Sequence, residues 1–158
     1  MSRLAEATHE ALSEGGALAT QIDGFVTREA QQRLSAAIAE AFESREVLLA
    51  EAGTGTGKTF AYLVPALLSG MKTIISTGTR ALQDQLYLRD LPRVRNAFVS
   101  DLNSVLLKDL ANYLCKYRVE QAKGEPRFTT REQISQFQRI VSWGGRTQFG
   151  DMAELEAL

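Results

Sequence analysis

A chain of 158 residues with 44% apolar and 23% charged side chains suits one domain with a hydrophobic core, is short for two, and excludes a disordered polyelectrolyte. Its longest apolar run, Ala61–Leu68, is interrupted by Pro65 and falls short of the roughly 18 residues of a membrane-crossing helix; the acidic N-terminus also lacks the apolar centre of a secretory signal. The single cysteine, Cys115, excludes a disulfide framework and suits a reducing cytoplasm, while a net charge of −1 divides into −5 over residues 1–51 and +4 over 52–158, a basic later part that fits a polyanionic partner.

In chain order, residues 1–20 read as a helical lead-in interrupted by glycine. Leu34, Ala37, Ile38, Ala41 and Phe42 then follow the spacing of an amphipathic helix. Val47–Ala50 is a short unbroken apolar run, the pattern of a strand buried on both faces. Phe60, Leu63, Val64, Leu67 and Leu68 give a second helical stripe, stopped by Gly70. Thr73–Ser76 and Ser104–Leu107 are further strand candidates, with a helix over Ala81–Tyr87 between them. The alternation predicts an α/β fold with a parallel sheet. Beyond Leu107 the character changes to two helices, Asn112–Lys123 and Thr130–Val141, the second carrying Ile134, Phe137, Ile140 and Val141 on one side.

Between the first strand and the second helix lies Ala52-Gly53-Thr54-Gly55-Thr56-Gly57-Lys58-Thr59. A strand, a glycine-rich turn, Lys-Thr and a helix in that order make a phosphate-binding P-loop. The glycines let successive backbone N–H groups turn toward phosphate oxygens, and the helix N-terminus adds partial positive charge. Lys58 is expected to reach the β- and γ-phosphates of ATP and the Thr59 hydroxyl to bind Mg²⁺. Ala52 stands where the commonest pattern has glycine, as it often does in helicases.

Glu51–Leu68 and Thr73–Pro92 together resemble the DinG and YoaA-like DNA helicases, bacterial relatives of the iron–sulfur, XPD-type motors of superfamily 2. The resemblance runs from about Gly24 to Cys115, with weaker echoes at Ser142-Trp143 and at Gly150–Leu155. It implies a lead-in over 1–23, the first part of a RecA-like ATP-binding domain over 24–108, and the helical start of an iron–sulfur-type insertion over 109–158. It also implies that Phe25, Arg28 and Gln31 contact adenine, an aromatic by stacking and the amide by pairing. Thr77, Gly78, Thr79, Arg80 and Gln85 match the segment that touches the single-stranded DNA backbone. Thr79 equally reads as the N-cap of the helix that follows.

Cys115 matches the first of four cysteines that hold a [4Fe–4S] cluster in such relatives. Three further thiolates are needed, so on this chain Cys115 reads as a lone thiol, a core residue or one ligand of a longer protein. Asp109-Leu110 replaces the Gly-Arg usual in the family. Trp143 reads as a packing anchor. No Asp-Glu-x-His box follows the P-loop, so the sequence is expected to be a piece of a longer, ATP-driven helicase moving 5′ to 3′ on single-stranded DNA. The rival readings are a P-loop phosphotransferase and a nucleotide- or DNA-binding module without motor activity.

Overall fold

A computed structural model of the chain describes residues 1–98 and 102–156; the last two positions of the segment 109–158 lie outside the described residues. The chain divides into two units, Met1–Val105 and Leu106–Leu158.

The first unit is built on α1 (Arg3–Ala11), α2 (Ala17–Gln21), α3 (Glu29–Ser44) and α4 (Lys58–Leu68). Ser2 caps α1, its hydroxyl accepting from the Ala5 N–H at 3.2 Å. Two more N–H groups at that end, those of Ser2 and Leu4, donate to carboxylates on α3, Glu40 Oε1 at 2.6 Å and Glu43 Oε1 at 3.2 Å. Acids placed there complete the open turn and offset the positive end of the helix. The lead-in is thereby tied to α3 by polar bonds, beside a small apolar cluster of Leu4, Ala5 and Ala39.

α3 forms where its periodicity predicts a helix, but its most buried line is Gln31, Ser35 and Ala39. Leu34, Ile38 and Phe42 of the expected stripe are half-buried. Small residues at Ser35 and Ala39 let the backbone of α3 approach its neighbours, which pushes the larger side chains to the flanks. The main core lies elsewhere: Leu63 and Val64 of α4 pack with Ala11, Leu12, Leu18, Leu86 and Val94. Each such buried Leu or Val side chain contributes about 1.5–3 kcal/mol by leaving water. α4 continues through Pro65 to Leu68, and Gly70 follows with a φ of 63°.

The helix expected over 81–87 is longer than predicted. α5 (Arg80–Gln85) runs into a π-helical turn at Leu86–Asp90 and then α6 (Leu91–Phe98). The wider turn buries both Leu86 and Asp90, and Tyr87 reaches back to donate to the Ser104 carbonyl at 3.2 Å.

The expected strands differ from observation. Val47–Ala50, Thr73–Ser76 and Ser104–Leu107 are not strands, and no strand is assigned among the described residues. Val47 is 99% exposed, Leu49 97% and Ile74 91%. A doubly buried strand exists only when neighbouring strands take its backbone groups and helices cover both its faces. These three runs have the composition of such strands without that covering.

The second unit holds a 3₁₀ turn at Leu110–Asn112, α7 (Lys116–Gly124), α8 (Arg131–Gly144) and α9 (Met152–Glu156). Thr130 and Gln133 form a capping box at the start of α8, each bonding the other's backbone N–H. The helix expected from Asn112 starts instead at Lys116. Trp143 is 4% exposed, in keeping with a packing role. Tyr113 and Asp151 pair in an isolated antiparallel bridge, and the Leu114 N–H donates to the Gly150 carbonyl at 2.8 Å. Lys108 Nζ meets Asp151 Oδ2 at 2.8 Å, its side chain only 5% exposed.

Candidate functional site

The glycine-rich loop follows Glu51 and ends at Gly57, the N-cap of α4. Gly55 and Gly57 have φ values of 77° and 80°, a left-handed backbone that side chains with a Cβ rarely adopt. A Cβ added at Gly53 or Gly55 would meet nothing within 4 Å, so the loop's outer side is open. At Gly57 the same atom would collide with the Gln31 amide. The Thr56 hydroxyl donates to the Gly53 carbonyl at 3.0 Å, closing the turn from inside.

Lys58 is exposed, and its ammonium donates to the carbonyls of Ala52 at 2.9 Å and Gly53 at 2.6 Å. It therefore folds back over its own loop. Thr59 is the second residue of α4, and Tyr62 follows it one turn on. Burial lifts the Tyr62 phenol above its ordinary 10.0; the neighbouring Thr59 hydroxyl works against that rise and the nearby Asp90 carboxylate adds to it.

Two side chains from the start of α3 reach the loop. Arg28 Nη1 donates to the Gly55 carbonyl at 3.0 Å, and Gln31 Nε2 to the Gly57 carbonyl at 2.8 Å. Thr27 helps to place them, donating to the Leu12 carbonyl at 3.1 Å. Phe25 packs on Phe60, with ring centroids 6.2 Å apart. Of Phe25, Arg28 and Gln31, expected as adenine contacts, the structure brings Arg28 and Gln31 to the P-loop and Phe25 to Phe60. The side-chain bonds of Arg28 and Gln31 go to carbonyls of the loop itself.

In the segment matched to DNA contact, Thr79 is the N-cap of α5, accepting from the Leu82 N–H at 3.2 Å. Thr77 donates to the Thr79 carbonyl at 3.3 Å, and Gly78 and Arg80 are exposed. Gln85 is placed differently: its amide donates to Asp90 Oδ2 at 3.0 Å, and Arg89 Nε bonds the other oxygen of that buried carboxylate at 2.9 Å. Cys115 is a free thiol and exposed, so the reading of it as a core residue fails: it is the N-cap of α7, a helix with no buried residue. With one cysteine in the sequence, the chain's residues do not fit a [4Fe–4S] cluster. Among the described residues no group of three or more His, Cys, Asp or Glu side chains is arranged to hold a metal ion.

Residues 28–141 match the family model described as DEAD/DEAH box helicase. The chain belongs to this family. Among curated relatives it is similar to the ATP-dependent DNA helicase YoaA of Haemophilus influenzae, 42% identical over 90% of this chain and 22% of that protein. YoaA of Escherichia coli is 46% identical over 87% of this chain and 22% of its own length. A third relative, named 3′-5′ exonuclease DinG, comes from Bacillus subtilis, 37% identical over 88% of this chain and 15% of that protein. The chain thus spans about a fifth of the length of the YoaA relatives it matches. No solved structure matches it. No helix among the described residues is long and apolar enough to cross a membrane.

Family likeness points to the P-loop but not to everything around it in this helicase chain. Tyr62 escaped the sequence reading, although its position three residues after Thr59 on one helix face was a usable signal. Asp90 was hidden because the π-helical turn puts it five residues from its partner Gln85, outside the usual helical spacing. Lys108 and Asp151 are 43 positions apart and carry no local mark of their pairing.

Proposed function

We propose that this chain is the nucleotide-gripping part of a DinG/YoaA-like motor that couples ATP hydrolysis to 5′-to-3′ movement along single-stranded DNA. The observation that carries the reading is the loop Ala52–Thr59 at the N-terminus of α4, with two left-handed glycines and an open outer side. A triphosphate fits there by the chemistry of the donors. Backbone N–H groups, the positive end of α4 and the Lys58 ammonium would bind its oxygens, and the Thr59 hydroxyl would complete the shell of Mg²⁺. To do so Lys58 leaves the carbonyls of Ala52 and Gly53. A magnesium ion bound with the nucleotide supplies charge neutralisation at the phosphates.

Thr77, Gly78, Thr79 and Arg80 are proposed to hold the DNA backbone, through hydroxyls, a small residue that admits close approach, and a cation. Gln85 would act on that surface only indirectly, by fixing Asp90 and the π-helical turn. The carboxylate box that activates water is not in this sequence, so turnover is proposed for the longer protein. An iron–sulfur cluster is likewise proposed only where further cysteines are present. The Bacillus subtilis relative bears the name of an exonuclease. A nuclease has no need of a P-loop, and its presence here favours the ATP-driven reading for this part of the chain.

DNA-stimulated ATPase, measured on this chain and on a chain extended through the rest of the gene, tests the proposal. Hydrolysis that rises with single-stranded DNA in the extended protein supports it. An extended protein that neither binds nor hydrolyses ATP overturns it.

A further inference from the structure

We propose that Asp90 is a positioning residue that ties the placement of the segment Thr77–Arg80 to the phosphate-binding helix α4, so that single-stranded DNA is held differently when the P-loop carries a triphosphate. The inference rests on the two sites proposed above and concerns what joins them.

α5 does not run straight into α6, because the π-helical turn at Leu86–Asp90 lies between them. Such a turn is rare and closes from i to i+5 instead of i to i+4, so it persists where something holds it. Here two bonds do. The Gln85 amide donates to Asp90 Oδ2 at 3.0 Å, and Arg89 Nε to Oδ1 at 2.9 Å. In a regular α-helix, residues five apart stand about 140° apart around the axis, so the Gln85–Asp90 bond belongs to the wide turn. Asp90 is 4% exposed, and a buried carboxylate without partners is costly. The turn therefore has two discrete forms, wide with the carboxylate paired and regular without that pairing. Passing between them shifts the register of α5 against α6 by one residue, about 100° of rotation and about 1.5 Å of travel. Arg80 and the cap at Thr79 move with α5.

The same turn packs on α4. Leu86 lies in the core cluster with Leu63 and Val64. Tyr62, one turn after Thr59, has a phenol that feels both the Thr59 hydroxyl and the Asp90 carboxylate. Thr59 is the residue proposed to meet magnesium. Charge arriving there acts on Asp90 across a single side chain, and Asp90 decides which form the turn takes.

The test uses the whole chain, Mg·ATP and a fluorescein-labelled oligothymidine read by anisotropy. In the wild type, saturating Mg·ATP should change affinity for the strand about fivefold or more, the lower end of ordinary coupling between two sites. Calorimetry of Mg·ATP with and without the strand should return the same factor, because such coupling is reciprocal. Asp90→Asn keeps the shape and removes the charge. Tyr62→Phe keeps the ring, removes the hydroxyl and guards against a failure of the first variant to fold. Each variant should still bind both ligands, with the factor reduced to less than about twofold. A factor unchanged in Tyr62→Phe or in folded Asp90→Asn overturns the proposal, and a lowered thermal midpoint beside it makes Asp90 a support of the fold alone. A wild type that binds both ligands independently overturns it too. Wild-type protein that binds no Mg·ATP, or Mg·ATP but no strand, would instead sink the nucleotide site or the DNA surface, and this inference with it.

Discussion

The Lys58 ammonium sits 2.6 Å from the carbonyl oxygen of Gly53, in the same loop it is proposed to serve. A cation held by two neutral carbonyls at an exposed position is held lightly, because water competes for both partners. It can be drawn off by a triphosphate, whose charge makes the new bonds stronger. Lys58→Ala should therefore weaken Mg·ATP binding about tenfold or more, from the roughly 1.5–3 kcal/mol of hydrogen bonds to charged groups. Equal affinity in the variant, by calorimetry, would remove Lys58 from the site.

Tyr62 predicts how stability changes in alkali. Its folded phenol keeps a proton above its ordinary 10.0, mainly because of burial. Below that pH both folded and unfolded forms are protonated and nothing is lost. As pH rises past it, the unfolded chain sheds the proton first, so the unfolded state gains and stability falls. Tyr62→Phe should flatten that decline, measured as the thermal midpoint from about pH 9 to pH 11. Identical slopes for both proteins would assign the alkaline loss to another group.

Single-stranded DNA binding should depend steeply on salt and hardly at all on sequence, because the segment Thr77–Arg80 offers backbone contacts and no base-reading set. Arg80, exposed at the first position of α5, should contribute one phosphate contact. Arg80→Ala would then lower the slope of log affinity against log salt by about 0.7, the single-strand value per phosphate. Fluorescence anisotropy across a salt series on mixed and homopolymer strands reads both effects, and a strong sequence preference would count against this surface.

The chain should purify colourless and stay so after anaerobic reconstitution with iron and sulfide. Cys115 is its only cysteine and stands exposed at the start of α7, and one thiolate does not retain a cluster that takes about four. A brown protein with charge-transfer absorption near the visible would contradict this.

What was legible in the sequence was local. Thr79 as a cap, the α4 stripe ending before Gly70, and Thr130 opening α8 all depend on neighbours within one or two turns. The family could be read for the same reason, since the P-loop and Thr73–Pro92 are contiguous stretches. Arg28 and Gln31 could be marked as near the nucleotide, but not as bonded to Gly55 and Gly57. That contact spans more than two dozen residues and depends on how α3 packs beside α4. The strands failed for a different reason. Val47–Ala50 has a strand's composition, but composition supplies neither the neighbouring backbone nor the covering helices.

Those extended apolar runs bear on how the protein behaves in a tube. Val47, Leu49 and Ile74 stand almost wholly in water, in short apolar runs of high β-propensity that charges flank at Glu46, Glu51 and Lys72. Segments of that kind recruit their like: one molecule's run can lie against another's and form between copies the ladder that neither forms alone. Concentration thus becomes a variable of the preparation. Dilute samples should stay monodisperse, while crowding should drive association through residues 47–50 and 73–76, and a charged substitution at Leu49 or Ile74 should postpone that onset without touching the phosphate loop.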